Sequence, residues 1–179
     1  LGGSSNAATG FDDVHFHVLV PTDNAEEALD LLLDLVLDPA LEQDCFAMEL
    51  DVVLEEIAQY RDQPDDQVLQ TLLERSCSPH PYGRPILGWE SSLRRMTPDE
   101  MRTYHRRRYQ GPNCCLAVAG DIGDNLVERV VNGPVAGLDP ADDPDPRDAK
   151  LPLMTFNSGR DCIRFPRLEA ARILMVWTV

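Results

Sequence analysis

Two glutamates on one predicted helix have the spacing that points most directly to chemistry. In the segment FAMELDVVLEEIAQY, residues 46–60, apolar side chains recur at the helical period. Glu49 and Glu56 are seven residues apart, so on an α-helix they lie about 20° from each other, beside the apolar stripe. Glu55 lies on the opposite, polar side. The stripe consists of Phe46, Leu50, Val53, Ile57 and Tyr60.

Two carboxylates beside the apolar stripe need partners, because burying an unpaired carboxylate is energetically costly. The residues leave two interpretations open. In the first, backbone amides or an arginine bond the carboxylates, and their role is structural. In the second, one of them is a metal ligand and the other supports that ligand or the reaction.

The flanking sequence predicts the elements that must position this helix. Residues 11–20 alternate as a strand, and helical spacing follows up to Pro39, over 41–62 and over 65–76. Thr97 and Glu100 form a capping box around Pro98, which predicts a helix to about Tyr109.

The sequence after this helix predicts a second strand. Residues 114–119 are wholly apolar, as in a strand buried on both faces, and residues 125–131 are predicted as a helix. Together the elements predict an α+β fold, with a mixed or antiparallel sheet layered against helices.

Composition divides the chain into parts. Residues 133–152 contain five prolines and five aspartates with few apolar side chains, which is typical of a linker. We expect an α+β domain over 1–137, a Pro/Asp-rich linker over 138–160, and the beginning of a second, similar domain over 161–179. In the last part, 162–165 and 172–179 are predicted strands. The polar, glycine-rich beginning and the apolar end lead us to expect that both termini are truncations.

Charge and cysteine content exclude several function classes. The net charge of −15 and the pI of about 4.5 disfavour binding to nucleic acid or to anionic membrane surfaces. The sequence has no apolar run of the length that a membrane span needs. Five cysteines without CxxC spacing exclude a cysteine zinc site and favour a reducing, cytoplasmic location.

The histidines are weaker candidates. His15 and His17 share one face of the first predicted strand, a spacing that can bind zinc or serve as an ordinary half-buried pair. His80 has no partner at ligand spacing. The basic run 105–108 is expected to complement the C-terminal dipole of its helix, with an anion site as the alternative.

Several segments, in their order and spacing, resemble the insulinase/pitrilysin (inverzincin) family of zinc metallopeptidases. The segment GGSSNAATGFDDVHFHV resembles the family strand beside the catalytic zinc, and FAMELDVVLEEI resembles the helix downstream of it. The loop HPYGRPILG, the helix TPDEMRTYHRRRY and the strand CCLAVAGDI follow in the family order. The resemblance covers nearly all of residues 1–137, which implies a peptidase-like domain there. It extends loosely into 161–179, which resembles the beginning of a second peptidase-like domain.

The resemblance implies roles for four residues. Glu56 corresponds to the third ligand of a Zn²⁺ ion, and Glu49 to a glutamate that supports catalysis. Asn6 and Ala7 correspond to edge-strand residues that pair with an extended substrate backbone. In the family, two histidines of an H-x-x-E-H motif complete the zinc site, and the motif glutamate is the general base. Zinc held in this way activates a water molecule and polarises the scissile carbonyl.

The H-x-x-E-H motif does not occur in these 179 residues. By family spacing we expect it roughly 20 residues before Leu1, so this chain would supply the third ligand and the edge strand of a larger metalloendopeptidase. Peptides or unfolded segments are the expected substrates, and a homo- or heterodimer with a second family member is the expected assembly. Two alternatives remain: a non-catalytic family member that is a structural or regulatory subunit, and an unrelated acidic helical binding domain.

Overall fold

The structure is a computed structural model that describes residues 2–138, 153–166 and 168–177. It divides into two compact units, Leu1–Glu42 with Thr97–Pro146, and Gln43–Met96 with Arg147–Val179. The strands are β1 (Ser4–Thr9) and β2 (Val14–Leu19). The helices are α1 (Ala25–Leu37), α2 (Gln43–Asp62), α3 (Pro64–Cys77), α4 (Glu90–Leu93), α5 (Pro98–Arg108) and α6 (Asp124–Asn132).

The first unit begins with a β-hairpin. The strands β1 and β2 are antiparallel, with Asn6 opposite His17 and Ala7 opposite Phe16. Because residues alternate between the faces of a strand, Phe16 and Val18 lie on the less exposed face and His15 and His17 on the exposed one. The strand β2 contacts α1.

The core of the first unit lies between α1 and α6. Leu29 and Leu33 of α1 are buried together with Leu126 of α6. They are spaced four residues apart on α1, so they form one stripe of an amphipathic helix. At the exposed side of this contact, Arg129 of α6 pairs with Glu26 and Asp30 of α1. The two helices are therefore joined by an apolar centre with an ionic rim.

The second unit is built on α2 and α3, which contact each other. Ile57 of α2 is buried, and Phe46, Leu50 and Val53 of the predicted stripe are partly buried, whereas Tyr60 is 54% exposed. At the end of α3, Cys77 is only 1% exposed. The predicted apolar stripe is thus confirmed over its first three turns and fails at its last residue.

The side chain of Asn157 caps the C-terminal end of α3. Its Nδ2 donates to the carbonyl oxygens of Arg75 and Ser78, and its backbone amide donates to that of Ser76. The last carbonyls of a helix have no partner within the helix. Asn157 therefore satisfies these acceptors from a residue about 80 positions away in sequence.

The predicted helices are confirmed within two residues at most boundaries, and the α+β class is confirmed. The predicted strand at 114–119 is wrong: the structure assigns no strand there, although Cys114 has extended dihedral angles, φ −110° and ψ 135°. A strand also requires hydrogen bonds to a neighbour. In the described part of the chain the sheet consists of β1 and β2.

The strands predicted near the end of the chain are also wrong. Residues 162–165 and 172–177 are described and are not assigned as strands, so their predicted strands are not formed in the described part. Apolar alternation alone does not supply a ladder partner. Most of the predicted linker, 139–152, lies outside the described residues. None of the helices that the structure describes has the length and apolar content to cross a membrane.

Candidate catalytic helix and edge strand

Glu49 and Glu56 both lie on α2, which runs without interruption from Gln43 to Asp62. Seven residues of helix separate them by about 10.5 Å along the axis and place them on one side. Both side chains are exposed, as is that of Glu55. Within the described residues neither Glu49 nor Glu56 has an ion-pair or hydrogen-bond partner. Exposure alone therefore does not distinguish Glu56 from Glu55. The two differ in their position around the helix, because Glu56 lies on the same side of α2 as Glu49 and Glu55 does not.

The two carboxylates belong to an exposed face that also contains apolar side chains. Its members at helical spacing are Cys45, Glu49, Val52 and Glu56, and we call this set the glutamate face. Val52 is 49% exposed, and neighbouring Met48 is 64% exposed. The expected burial of the carboxylates is not observed, because the buried stripe of α2 is narrower than the sequence pattern predicts and leaves this face outside it.

The predicted substrate-binding residues lie on β1. All six residues of this strand are exposed, and in the described sheet β1 pairs with β2 on one side. The amide of Ala7 donates to Oδ1 of Asn6 at 2.9 Å. A strand edge offers amides and carbonyls to an extended peptide. The bond from Ala7 to Asn6 satisfies one of these amides locally.

The donor set of the described residues does not make a complete zinc site. Catalytic zinc requires three protein ligands in a fixed arrangement, and the described residues hold no group of three His, Cys, Asp or Glu side chains that could bind a metal ion. Glu56 is of the correct donor type for one position. No catalytic step through zinc follows from these residues alone.

The shifted pKa values of Cys114 and Tyr109 do not indicate a nucleophile. Burial raises the pKa of the Cys114 thiol, which disfavours the reactive thiolate. Burial is also the main cause that raises the pKa of Tyr109, with smaller effects of Tyr104 and Cys114. Neither residue is therefore activated for nucleophilic chemistry.

The basic run has structural contacts. Nε2 of His105 lies 2.7 Å from the carbonyl oxygen of Val36, near the end of α1, and its ring stacks on Tyr109. The guanidinium of Arg108 lies 5.9 Å from the centre of the Tyr104 ring, within the range of a cation–π contact. These contacts favour the structural interpretation of residues 105–108 over an anion site.

Comparison with known proteins identifies the family. Residues 1–90 match the family model described as insulinase (peptidase family M16), and residues 95–179 match that of the peptidase M16 inactive domain. An "uncharacterized zinc protease" of Mycobacterium leprae is 36% identical over 131 residues, which are 73% of this chain and 29% of that protein. One of Bacillus subtilis is 33% identical over 130 residues, 73% of this chain and 32% of that protein.

A solved structure shares the fold. The crystal structure of a protease from Helicobacter pylori matches with a TM-score of 0.74 and 23% identity, over 87% of this chain and 37% of that one. The chain thus spans about a third of the length of the proteins it matches. With the match of the family model over residues 1–90, the chain belongs to the insulinase family of peptidases, peptidase family M16.

Proposed function

We propose that this chain forms part of a zinc-dependent metalloendopeptidase that cleaves peptides or unfolded protein segments. The observation that carries the proposal is the pair Glu49 and Glu56, which lies within the residues matched by the insulinase family model and on one exposed face of α2. The names of the relatives, zinc proteases, support the same activity and the same metal.

In this proposal Glu56 supplies one zinc ligand. Its side chain is exposed, so the carboxylate reaches a metal without the cost of burial. The face is also partly apolar through Val52, which is 49% exposed. Glu49, two turns earlier, would hold a donor group of the site in place or accept a proton near it.

In the same proposal β1 binds the substrate backbone. A peptide carbonyl that accepts a hydrogen bond from the amide of Ala7 would replace Oδ1 of Asn6, which accepts that bond at 2.9 Å. The released amide side chain of Asn6 then offers a donor and an acceptor to the peptide. Binding of this type selects extended, unfolded segments, because a folded helix cannot present its backbone to a strand edge.

The test compares Glu56→Gln with Glu55→Gln in the gene product that contains these residues. The two variants remove the same charge from neighbouring exposed positions of α2. We expect Glu56→Gln to lower zinc content and hydrolysis of an unstructured peptide, with a loss of zinc affinity of at least about tenfold. Glu55→Gln should retain both.

Equal loss in both variants, or equal retention, would contradict the assignment of Glu56. A gene product that binds no zinc and cleaves no peptide before any substitution would instead support the non-catalytic subunit. In that case Glu49 and Glu56 would have no catalytic role.

A further inference from the structure

We propose that the exposed face of the β1–β2 hairpin binds a divalent transition metal ion through His15 and His17. This proposal uses none of the carboxylates of α2 and does not depend on the peptidase activity. It consists of side chains of one strand, so its geometry is set within the first unit.

The two imidazoles are placed side by side. His15 and His17 are two residues apart on β2 and therefore project from the same face. Their ring centres are 5.9 Å apart and the ring planes differ by 24°. Both residues are exposed. A metal ion bound by one nitrogen of each ring, at about 2.0–2.1 Å, requires these two nitrogens to be about 3–4 Å apart. Because both side chains are exposed and the rings are adjacent and nearly parallel, rotation about the side-chain torsions brings the nitrogens to this distance.

The turn before β2 places a carboxylate near one of the rings. The amide of Gly10 donates to the carbonyl oxygen of Asp13 at 2.8 Å, which closes the turn between the strands. Oδ2 of Asp13 lies 3.7 Å from Nδ1 of His15. A carboxylate on the Nδ1 side favours the tautomer with a proton on Nδ1, and this leaves Nε2 free to coordinate a metal ion.

A side chain at position 10 would displace the carboxylate of Asp13. A Cβ atom at Gly10 would lie 2.8 Å from Oδ1 of Asp13, and a contact this short forces the carboxylate to move. Gly10 thus keeps Asp13 in its position beside His15.

The chemistry of the pair selects the ion. Neutral imidazole suits Zn²⁺, Ni²⁺ and Cu²⁺, whereas Ca²⁺ and Mg²⁺ prefer oxygen ligands. The chain has a net charge of −15, which raises the concentration of cations at its surface. Since no group of three donors occurs in the described residues, water completes the coordination, and binding is weaker than at a closed structural zinc site.

The other two histidines of the chain have intramolecular contacts instead. Nδ1 of His80 accepts from the amide of Tyr82 at 3.3 Å. Nε2 of His105 lies 2.7 Å from the carbonyl oxygen of Val36. His80 therefore offers a matched control, because His80→Gln removes one imidazole from the chain and leaves the hairpin pair intact.

The experiment is calorimetric titration of the 179-residue chain with Zn²⁺ in the presence of excess Ca²⁺, which occupies acidic sites of low selectivity. The variants are His15→Gln, His17→Gln, His80→Gln and Glu56→Gln. We expect each hairpin variant to weaken the zinc affinity at least about tenfold, and the control His80→Gln to leave it unchanged. Glu56→Gln reports separately on the zinc ligand proposed on α2. Spectra of backbone amides should show zinc-dependent shifts centred on residues 13–19.

Three results would overturn the proposal. They are the absence of any Zn²⁺ binding by the unsubstituted chain, binding that persists unchanged in both hairpin variants, and binding that only Glu56→Gln abolishes. The third result would place the metal on α2 and would support the proposed peptidase site, so the two proposals fail separately. Circular dichroism of each variant confirms that the exposed substitutions leave the fold intact.

Discussion

Nη2 of Arg102 donates a hydrogen bond of 2.6 Å to the carbonyl oxygen of Leu41. Leu41 has a positive φ of 46°, a region that costs a non-glycine residue about 1–2 kcal/mol. Arg102 also pairs with Asp99 at 2.6 Å, one turn earlier on α5. The guanidinium of Arg102 thus connects α5 to the segment that follows α1. It does so at Leu41, whose backbone conformation is unfavourable.

Arg102→Ala should therefore destabilise the protein. A hydrogen bond to a charged group contributes about 1.5–3 kcal/mol. Because the side chain of Arg102 is 40% exposed, solvent screening reduces the expected loss of stability to about 1 kcal/mol. Urea unfolding measures it. Arg107→Ala, at an exposed position of the same helix, is the control and should change the stability by less than about 0.5 kcal/mol. Equal effects of both variants would contradict a specific role of Arg102.

Leu33→Ala should lower the free energy of unfolding more than Arg102→Ala does. Leu33 is 8% exposed and packs with Leu29 and Leu126 between α1 and α6, so truncation leaves a cavity and costs about 2–5 kcal/mol. Leu35 lies two residues along the same helix and is 65% exposed. Leu35→Ala should change the free energy of unfolding by less than about 0.5 kcal/mol. A loss in Leu35→Ala as large as that in Leu33→Ala, by thermal or urea unfolding, would show that α1 packs on a different face.

Glu90 should titrate below its usual range. The hydrogen bond from Arg94 is the main cause that lowers the pKa of this carboxyl from 4.5, and a hydrogen bond from Arg61 adds to it. Because the folded-state pKa is depressed, the ion pairs stabilise the fold above about pH 4.5 and the stabilisation is lost as the pH falls through the lowered pKa. NMR titration of the Glu90 side chain measures the shift.

The two arginines allow the causes to be separated. Arg94→Ala should raise the pKa of Glu90 more than Arg61→Ala, because Arg94 donates two hydrogen bonds to Oε1, at 2.9 and 3.1 Å, whereas Arg61 donates one to Oε2 at 3.1 Å. The reverse order would show that Arg61 is the main partner in solution.

Local signals account for what the sequence predicted well. The capping box is an example: the amide of Glu100 donates to Oγ1 of Thr97 at 3.3 Å, and the amide of Thr97 donates to Oε2 of Glu100 at 2.9 Å. All atoms of this motif lie within four residues, so the sequence contains the whole interaction. The boundaries of α2 and α3 follow in the same way from the helical period and from Pro64 at the start of α3.

The features that the sequence did not predict depend on contacts between residues that are distant in the chain. The apolar run 114–119 has the composition of a buried strand, yet a strand exists only where a neighbour completes the ladder. The exposure of Glu49 and Glu56 follows from how much of α2 its neighbours cover, and a helical wheel does not contain that information. The Asn157 cap on α3 joins residues about 80 positions apart, beyond any local pattern.

The last prediction concerns the domain boundary. Residues 133–152 contain five prolines, five aspartates, and the two tryptic sites Arg147 and Lys150, and most of them lie outside the described residues. Because this composition is typical of a linker, we expect trypsin to cleave the segment before it cleaves α2 or α3. Mass spectrometry of a brief digestion identifies the first cut. Replacing both basic residues with glutamine should delay that cut, whereas first cleavage within 41–76 would show that the predicted boundary between 1–137 and 161–179 is wrong.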